Sequence, residues 1–237
     1  MRIYVISLPT ALKRRKNTRV AFENASITFE FFNAIKPEQA MDQFVSVDSA
    51  QILLNAGRNM TPSEIACYAS HKAMWQRCVD LDEPILILDD DVAPTIEWPS
   101  GLAALRTQLP VCGFVRLDPA RKHRESLKFQ HKGFNFIRLL RCPFGAHAYA
   151  ITPGTAARFL AHSVNLSAPV DVFIKQFWCH GVPLYRQEPA LITHREDAYN
   201  STILGRDVGS RSVFQRLHRS IIKLIWAGRR GWFNVWN

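Results

Sequence analysis

Apolar residues fall into two kinds of block along this chain. Continuous runs such as Ile3-Tyr4-Val5-Ile6 and Ile85-Leu86-Ile87-Leu88 read as strands buried on both faces, the pattern of a largely parallel sheet. Spaced positions such as Ile65, Tyr68, Met74, Trp75 and Val79 follow helical periodicity instead. The first strand covers 2–8 and leads into a helix that runs to about Asn24. A short second strand follows at 28–32, and 36–60 reads as a loop-rich excursion with one short helix. Thr61, Pro62 and Glu64 supply a cap, a first-turn proline and an early acid for the helix that ends near Val79.

Beyond the 85–88 run the pattern alternates further. A helix is predicted over 94–110, strands over 113–117 and about 146–151, and helices over 155–163 and 172–180. The stretch 116–141 carries eight basic residues against two acidic ones and interleaves Phe129, Phe134 and Phe136, which predicts an exposed hairpin or loop pair. Strands alternating with helices over about 200 residues indicate an α/β sandwich. With 237 residues the chain is long enough for a substantial core, and no apolar run spans a bilayer. The first residues read as a strand rather than a signal peptide. Five scattered cysteines without Cys-x-x-Cys spacing predict reduced thiols in a cytoplasmic protein.

Charge changes the picture at the C-terminal end. Net charge is +10, and the six basic residues after Asp207 have no acidic residue among them. That split argues against nucleic acid as a partner of the whole chain. Phe214, Leu217, Ile221, Leu224 and Ile225 recur at helical spacing, and Trp226, Trp232 and Trp236 follow. The chain therefore divides into a domain over 1–207 and a basic amphipathic tail over 208–237. Residues 211–237 suit an anionic membrane surface, or else a helix docked on the domain.

The chemistry is concentrated where the buried run ends in Asp89-Asp90-Asp91. Three adjacent carboxylates belong at the open carboxyl end of a strand, where α/β sheets place ligands. Alternation turns Asp89 and Asp91 one way and Asp90 the other. Two convergent oxygen ligands suit Mg²⁺ or Mn²⁺, with nucleotide phosphates completing the shell. The chain contains no Gly-x-Gly-x-x-Gly, no phosphate-binding Gly-x-x-x-x-Gly-Lys-Ser/Thr and no Gly-x-Ser-x-Gly. A phosphotransferase or nuclease using the same aspartates, and a non-catalytic membrane-surface protein, are the competing readings of these residues.

Ser63-Glu64-Ile65-Ala66-Cys67-Tyr68-Ala69-Ser70-His71, followed by the 85–92 strand, resembles the signature of glycosyltransferase family 25. The similarity continues through Gly145–Ile151 (145–151), Pro169-Val170-Asp171, Pro189-Ala190-Leu191 and Ser201-Thr202-Ile203, and covers about 2–204. Ala66 stands where the family usually has glycine, Asp89 where it has glutamate, and His194 where many members have glutamine. The resemblance implies a GT-A-like nucleotide-sugar-binding sandwich and an inverting transfer, most readily of galactose from UDP-galactose. The acceptor it implies is a lipopolysaccharide or lipooligosaccharide core at the cytoplasmic membrane face. It further implies donor contacts from Ser7, Leu8, Arg14, His71, Asp89 and Asp90, and Mn²⁺ (or Mg²⁺) held by Asp89, Asp91 and His194. Asp171 is the candidate base, with Glu196 and Asp197 as alternatives.

Overall fold

The computed structural model describes residues 1–119, 125–195 and 213–236, without the side chains of 126–128 and of 213–219. The first half contains β1 (Arg2–Ser7), α1 (Leu12–Asn24), β2 (Glu30–Asn33), α2 (Pro37–Ala40), β3 (Ser46–Val47), α3 (Ser49–Ala56) and α4 (Pro62–Leu81). Then come β4 (Ile85–Asp89), β5 (Val92–Pro94), α5 (Trp98–Cys112), β6 (Phe114–Arg116), β7 (Glu125–His131) and β8 (Phe134–Leu139). The second half continues with β9 (Ala148–Ile151), α6 (Pro153–His162), β10 (Asn165–Leu166), α7 (Val170–Lys175) and α8 (Phe177–His180). It closes with β11 (Tyr185–Glu188), β12 (Ile192–His194) and α9 (Val213–Trp236).

Eight strands form one sheet in the order β2-β1-β4-β9-β6-β11-β8-β7. β1 pairs in parallel with both β2 and β4, so three carboxyl ends open on the same side. β9 runs antiparallel between β4 and β6. Ile85, Leu86, Ile87 and Leu88 are all fully buried, as a run without alternation requires. Ile85 and Ile87 pack into one apolar layer and Leu86 and Leu88 into the other, so β4 is covered on both faces. Helix α4 carries the first layer through Tyr68, Met74 and Trp75. Its start is a capping box in which Thr61 and Glu64 satisfy each other's backbone N–H. Glu64 is also held by both terminal nitrogens of Arg58.

The fold departs from the sequence reading in two places. The 116–141 stretch is not an exposed hairpin: β8 buries Phe134, Phe136, Ile137 and Leu139 and pairs with β11 inside the main sheet. Aromatic and β-branched positions at period two outweigh the local positive charge there. The 36–60 excursion holds two short helices, α2 and α3, and β3, which pairs with β10. Helix α9 packs on the domain, as one of the two readings of 211–237 expects. Phe233 is 8% exposed and joins the core layer under α4, with its ring 5.2 Å from that of Phe177. Residues 208–212, where the separate tail was expected to begin, lie outside the described residues. None of the five cysteines forms a disulfide.

Candidate active site

The carboxyl ends of β1, β2 and β4 open into a cavity of about 480 Å³ between α1 and α4. Its walls include Ile6, Ala34, Ile35 and Ala66, an apolar lining suited to a planar ring. Its polar end gathers Asp89, Asp90, Asp91, His147, His194 and Arg195. Strand-end placement of the aspartates is thus the arrangement read from the sequence, and two pairings supply the rest.

β4 and β9 pair with Leu88 opposite Ala148, and the next backbone bond runs from Asp89 N to the His147 carbonyl at 2.8 Å. His147 therefore faces Asp89 directly. β12 pairs with β5 so that His194 lies opposite Val92, and Arg195 N donates to the Asp91 carbonyl at 3.0 Å. Ligand atoms of Asp91, His147 and His194 all lie within 4.8 Å of one another. The two imidazole rings sit edge-on at 4.6 Å between centroids. Asp91 Oδ1 is buried with no hydrogen-bond partner among the described residues, an acceptor that a cation would satisfy. One carboxylate and two imidazoles at this spacing fit a divalent transition metal.

The three aspartates divide their work. Asp90 is nearly buried and its two oxygens accept from Ser7 Oγ at 2.6 Å and Arg14 at 3.0 Å, while its carbonyl accepts from Thr18 Oγ1. It pins the strand end to β1 and α1 at the wall of the cavity. Asp89 Oδ2 lies 3.3 Å from His147 Nδ1. Burial raises the Asp89 carboxyl above the ordinary carboxylate range, and His147 opposes that rise. Burial likewise works against charge on His147, but the adjacent Asp89 outweighs it and holds the imidazole pKa up. The His147 ring owes its place to Gly145, at φ +98°, where a Cβ would stand 2.9 Å from the imidazole Cδ2.

Behind Asp89 lies a buried polar chain. Trp75 Nε1–H donates to the Tyr149 oxygen at 2.9 Å, and Tyr149 is 2.9 Å from His71 Nδ1. Burial drives the His71 pKa down to about 3, with repulsion from His147 adding to it, so the ring is neutral. The Tyr149 oxygen already accepts from Trp75, so its own hydrogen goes to His71 Nδ1. The His71 hydrogen then sits on Nε2, which faces Asp89 Oδ1 across 3.7 Å.

Of the residues proposed from the sequence, Ser7, Leu8, Arg14, Asp89, Asp90, Asp91 and His194 line the cavity. His71 is fully buried behind Asp89, and Asp171 is not among the lining residues. Asp171 lies in the first turn of α7, where Oδ1 accepts from Val172 N at 2.9 Å and Oδ2 from Gly145 N at 3.4 Å. Glu196 and Asp197 lie outside the described residues. Sequence reasoning missed His147 and Arg195. Each is a single polar residue beside a short strand, and only the pairing partner of that strand identifies it.

The family described as glycosyltransferase family 25 (LPS biosynthesis protein) matches residues 1–174. The lipooligosaccharide biosynthesis protein lic2B of Haemophilus influenzae is 38% identical over 175 residues, covering 70% of this chain and 64% of that protein. The chain thus spans slightly less than two thirds of that relative's length. The lacto-N-neotetraose biosynthesis glycosyltransferase LgtE of Neisseria gonorrhoeae is 24% identical over 97% of this chain and 88% of its own. Among solved structures, a glycosyltransferase involved in glycosylation of the major capsid of PBCV-1 aligns over 94% of this chain and 100% of its own, at 10% identity and a TM-score of 0.40.

Proposed function

The chain belongs to glycosyltransferase family 25, and on that footing we propose that it transfers a hexose from a nucleotide diphosphate donor to a lipopolysaccharide or lipooligosaccharide core. The donor proposed is UDP-galactose and the transfer is inverting. The observation that carries the reading is the convergence of Asp91, His147 and His194 at the polar end of a cavity whose opposite wall is apolar. Such a cavity matches a nucleotide diphosphate: the base takes the apolar wall and the diphosphate the polar end.

Asp91, His147 and His194 are the residues that would hold Mn²⁺, and two imidazole donors favour it over Mg²⁺. The ion would supply positive charge against the departing diphosphate. Asp89 then acts behind His147, holding the ring through Nδ1 as carboxylates commonly do for ligating histidines. Arg195 and Arg14 add fixed positive charge to the same end, and Ser7 and Leu8 form the floor on the β1 side. Asp171 is the proposed base for the acceptor hydroxyl. Its longer bond, from Gly145 N at 3.4 Å, is the one a hydroxyl would replace. A core acceptor embedded in lipid would make this a peripheral protein of the cytoplasmic membrane face.

The test is hydrolysis of a panel of UDP-sugars, which needs no acceptor, with Mn²⁺ and with excess chelator. UDP-galactose should turn over only with the metal, and Asp91→Ala should lose at least two orders of magnitude. Unchanged turnover in chelator, or in Asp91→Ala, overturns the metal site. No turnover of any UDP-sugar would overturn the donor.

A further inference from the structure

Helix α9 has two apolar faces, and the domain covers only one. Trp226, Phe233 and Asn234 turn inward: Trp226 packs 6.0 Å from Trp178, Phe233 on Phe177, and Asn234 Nδ2 donates to the Leu140 carbonyl at 3.1 Å. Ile221, Leu224, Ile225, Trp232, Val235 and Trp236 turn outward and are between 47% and 78% exposed. At 3.6 residues per turn those six fall within an arc of about 120°. Six large apolar side chains left in water on one helix mark a contact surface, because a monomer gains nothing by exposing them.

Charge identifies the occupant. The helix contains Lys223, Arg229 and Arg230 and no acidic residue. At about 100° per residue Arg229 lies beside the apolar arc, whereas Lys223 and Arg230 lie on the opposite side of the helix. Two copies meeting through this face would bring two helices of the same positive charge together, whereas an anionic bilayer supplies the opposing charge. No helix among the described residues is long and apolar enough to cross a membrane, so the contact is with the surface.

We propose that the outward face of α9 is a docking surface for an anionic lipid bilayer, with the apolar arc entering the interface and the helix's positive charge, Arg229 nearest, drawn to the headgroups. The helix is held on the domain rather than tethered to it. Asn234 grips the Leu140 carbonyl, and Lys175 lies between the rings of Phe144, at 3.4 Å, and Trp226, at 5.6 Å. The same 140–147 segment carries Gly145 and His147 to the cavity. Docking through α9 thus orients the catalytic cavity relative to the bilayer. Lipid binding itself does not depend on the glycosyltransferase reading, whereas its purpose, access to a lipid-embedded acceptor, does.

Truncating the helix is a poor test, because Phe233 belongs to the core. The test is co-sedimentation of the full chain with phosphatidylethanolamine–phosphatidylglycerol vesicles and with phosphatidylcholine vesicles. Ile221→Gln, Leu224→Gln and Trp232→Gln are combined in the variant, with UDP-sugar hydrolysis, Tm and solution mass as controls. The wild-type chain should bind anionic vesicles roughly tenfold better than neutral ones, with partial loss at high salt. The triple variant should lose at least roughly tenfold of that binding, with Tm and hydrolysis retained. Vesicle binding unchanged by the substitutions overturns the proposal. So does a wild-type dimer that the substitutions dissolve, since a second copy would then occupy the face. Vesicle binding without any UDP-sugar turnover supports this surface and counts against the donor reading instead.

Discussion

Asp90 Oδ2 accepts the hydroxyl of Ser7 at 2.6 Å, across 83 positions of chain. The bond ties the end of β4 to the end of β1, and Arg14 closes the same carboxylate from α1. The middle aspartate of the triplet thereby fixes the turn on which its neighbours depend.

Asp90 and Asp91 should separate in mutation. Asp90→Ala removes an acceptor shared by two donors in a nearly buried setting and should cost about 3 kcal/mol of stability in urea unfolding. Asp91→Asn should leave stability close to wild type while abolishing metal-dependent UDP binding. Equal effects of the two on unfolding would show that the carboxylates do not divide structural and ligand roles.

His147→Ala and His194→Ala should each weaken Mn²⁺ binding by one to two orders of magnitude, read by isothermal titration with UDP present. Gly145→Ala should weaken it as well, because the added methyl would strike the His147 ring. Binding unaffected by His147→Ala would leave Asp91 and His194 without their third ligand.

Tyr149→Phe keeps the ring and deletes the oxygen between Trp75 and His71. Two buried partners lose a hydrogen bond, so unfolding should shift by about 2 kcal/mol. Turnover should fall several-fold below the new melting temperature, since His71 loses the contact that aims it at Asp89.

Asp171→Asn retains size and its acceptor oxygen but cannot take a proton. Transfer to acceptor should fall by roughly 10²–10⁴, with UDP affinity near normal. Near-normal transfer would exclude Asp171 as the base.

Acid should destabilise the fold through His180. Its Nε2–H donates to the Ile174 carbonyl at 3.0 Å and its Nδ1 accepts from Val182 N at 3.3 Å, so the ring is satisfied only when neutral. Burial lowers its pKa from 6.5 to about 4, the Ile174 bond opposing this and His162 adding to it. The unfolded chain therefore binds the proton first as pH falls. The stabilisation is whole above pH 6.5 and is lost as pH falls from there towards 4, about 3 kcal/mol in all. Urea midpoints measured across this range should drop, and His180→Gln should flatten part of that slope.

Much of this architecture is written locally. The unbroken 85–88 run identifies a strand covered on both faces, and the carboxylates after it identify its open end. Thr61, Pro62 and Glu64 start α4 where the cap reading places it, with Thr61 as the cap and Pro62 the first helical residue. Alternation also separates Asp90 from Asp89 and Asp91, as the contacts of Asp90 bear out. These features depend on a residue and its near neighbours along the chain, which a sequence displays directly.

The rest depended on pairing at long range. His147 faces Asp89 only because β9 runs antiparallel beside β4 with Leu88 opposite Ala148, and a one-residue slip would turn the ring away. His194 reaches Asp91 only because β12 pairs with β5. Whether α9 would dock or face lipid could not be chosen from its sequence, since apolar positions on both faces look alike. Packing of Phe233 against Phe177 settled which face is inward. Periodicity within the chain determined the elements and their open ends; strand register and helix docking, summed over contacts between distant segments, decided which side chains meet.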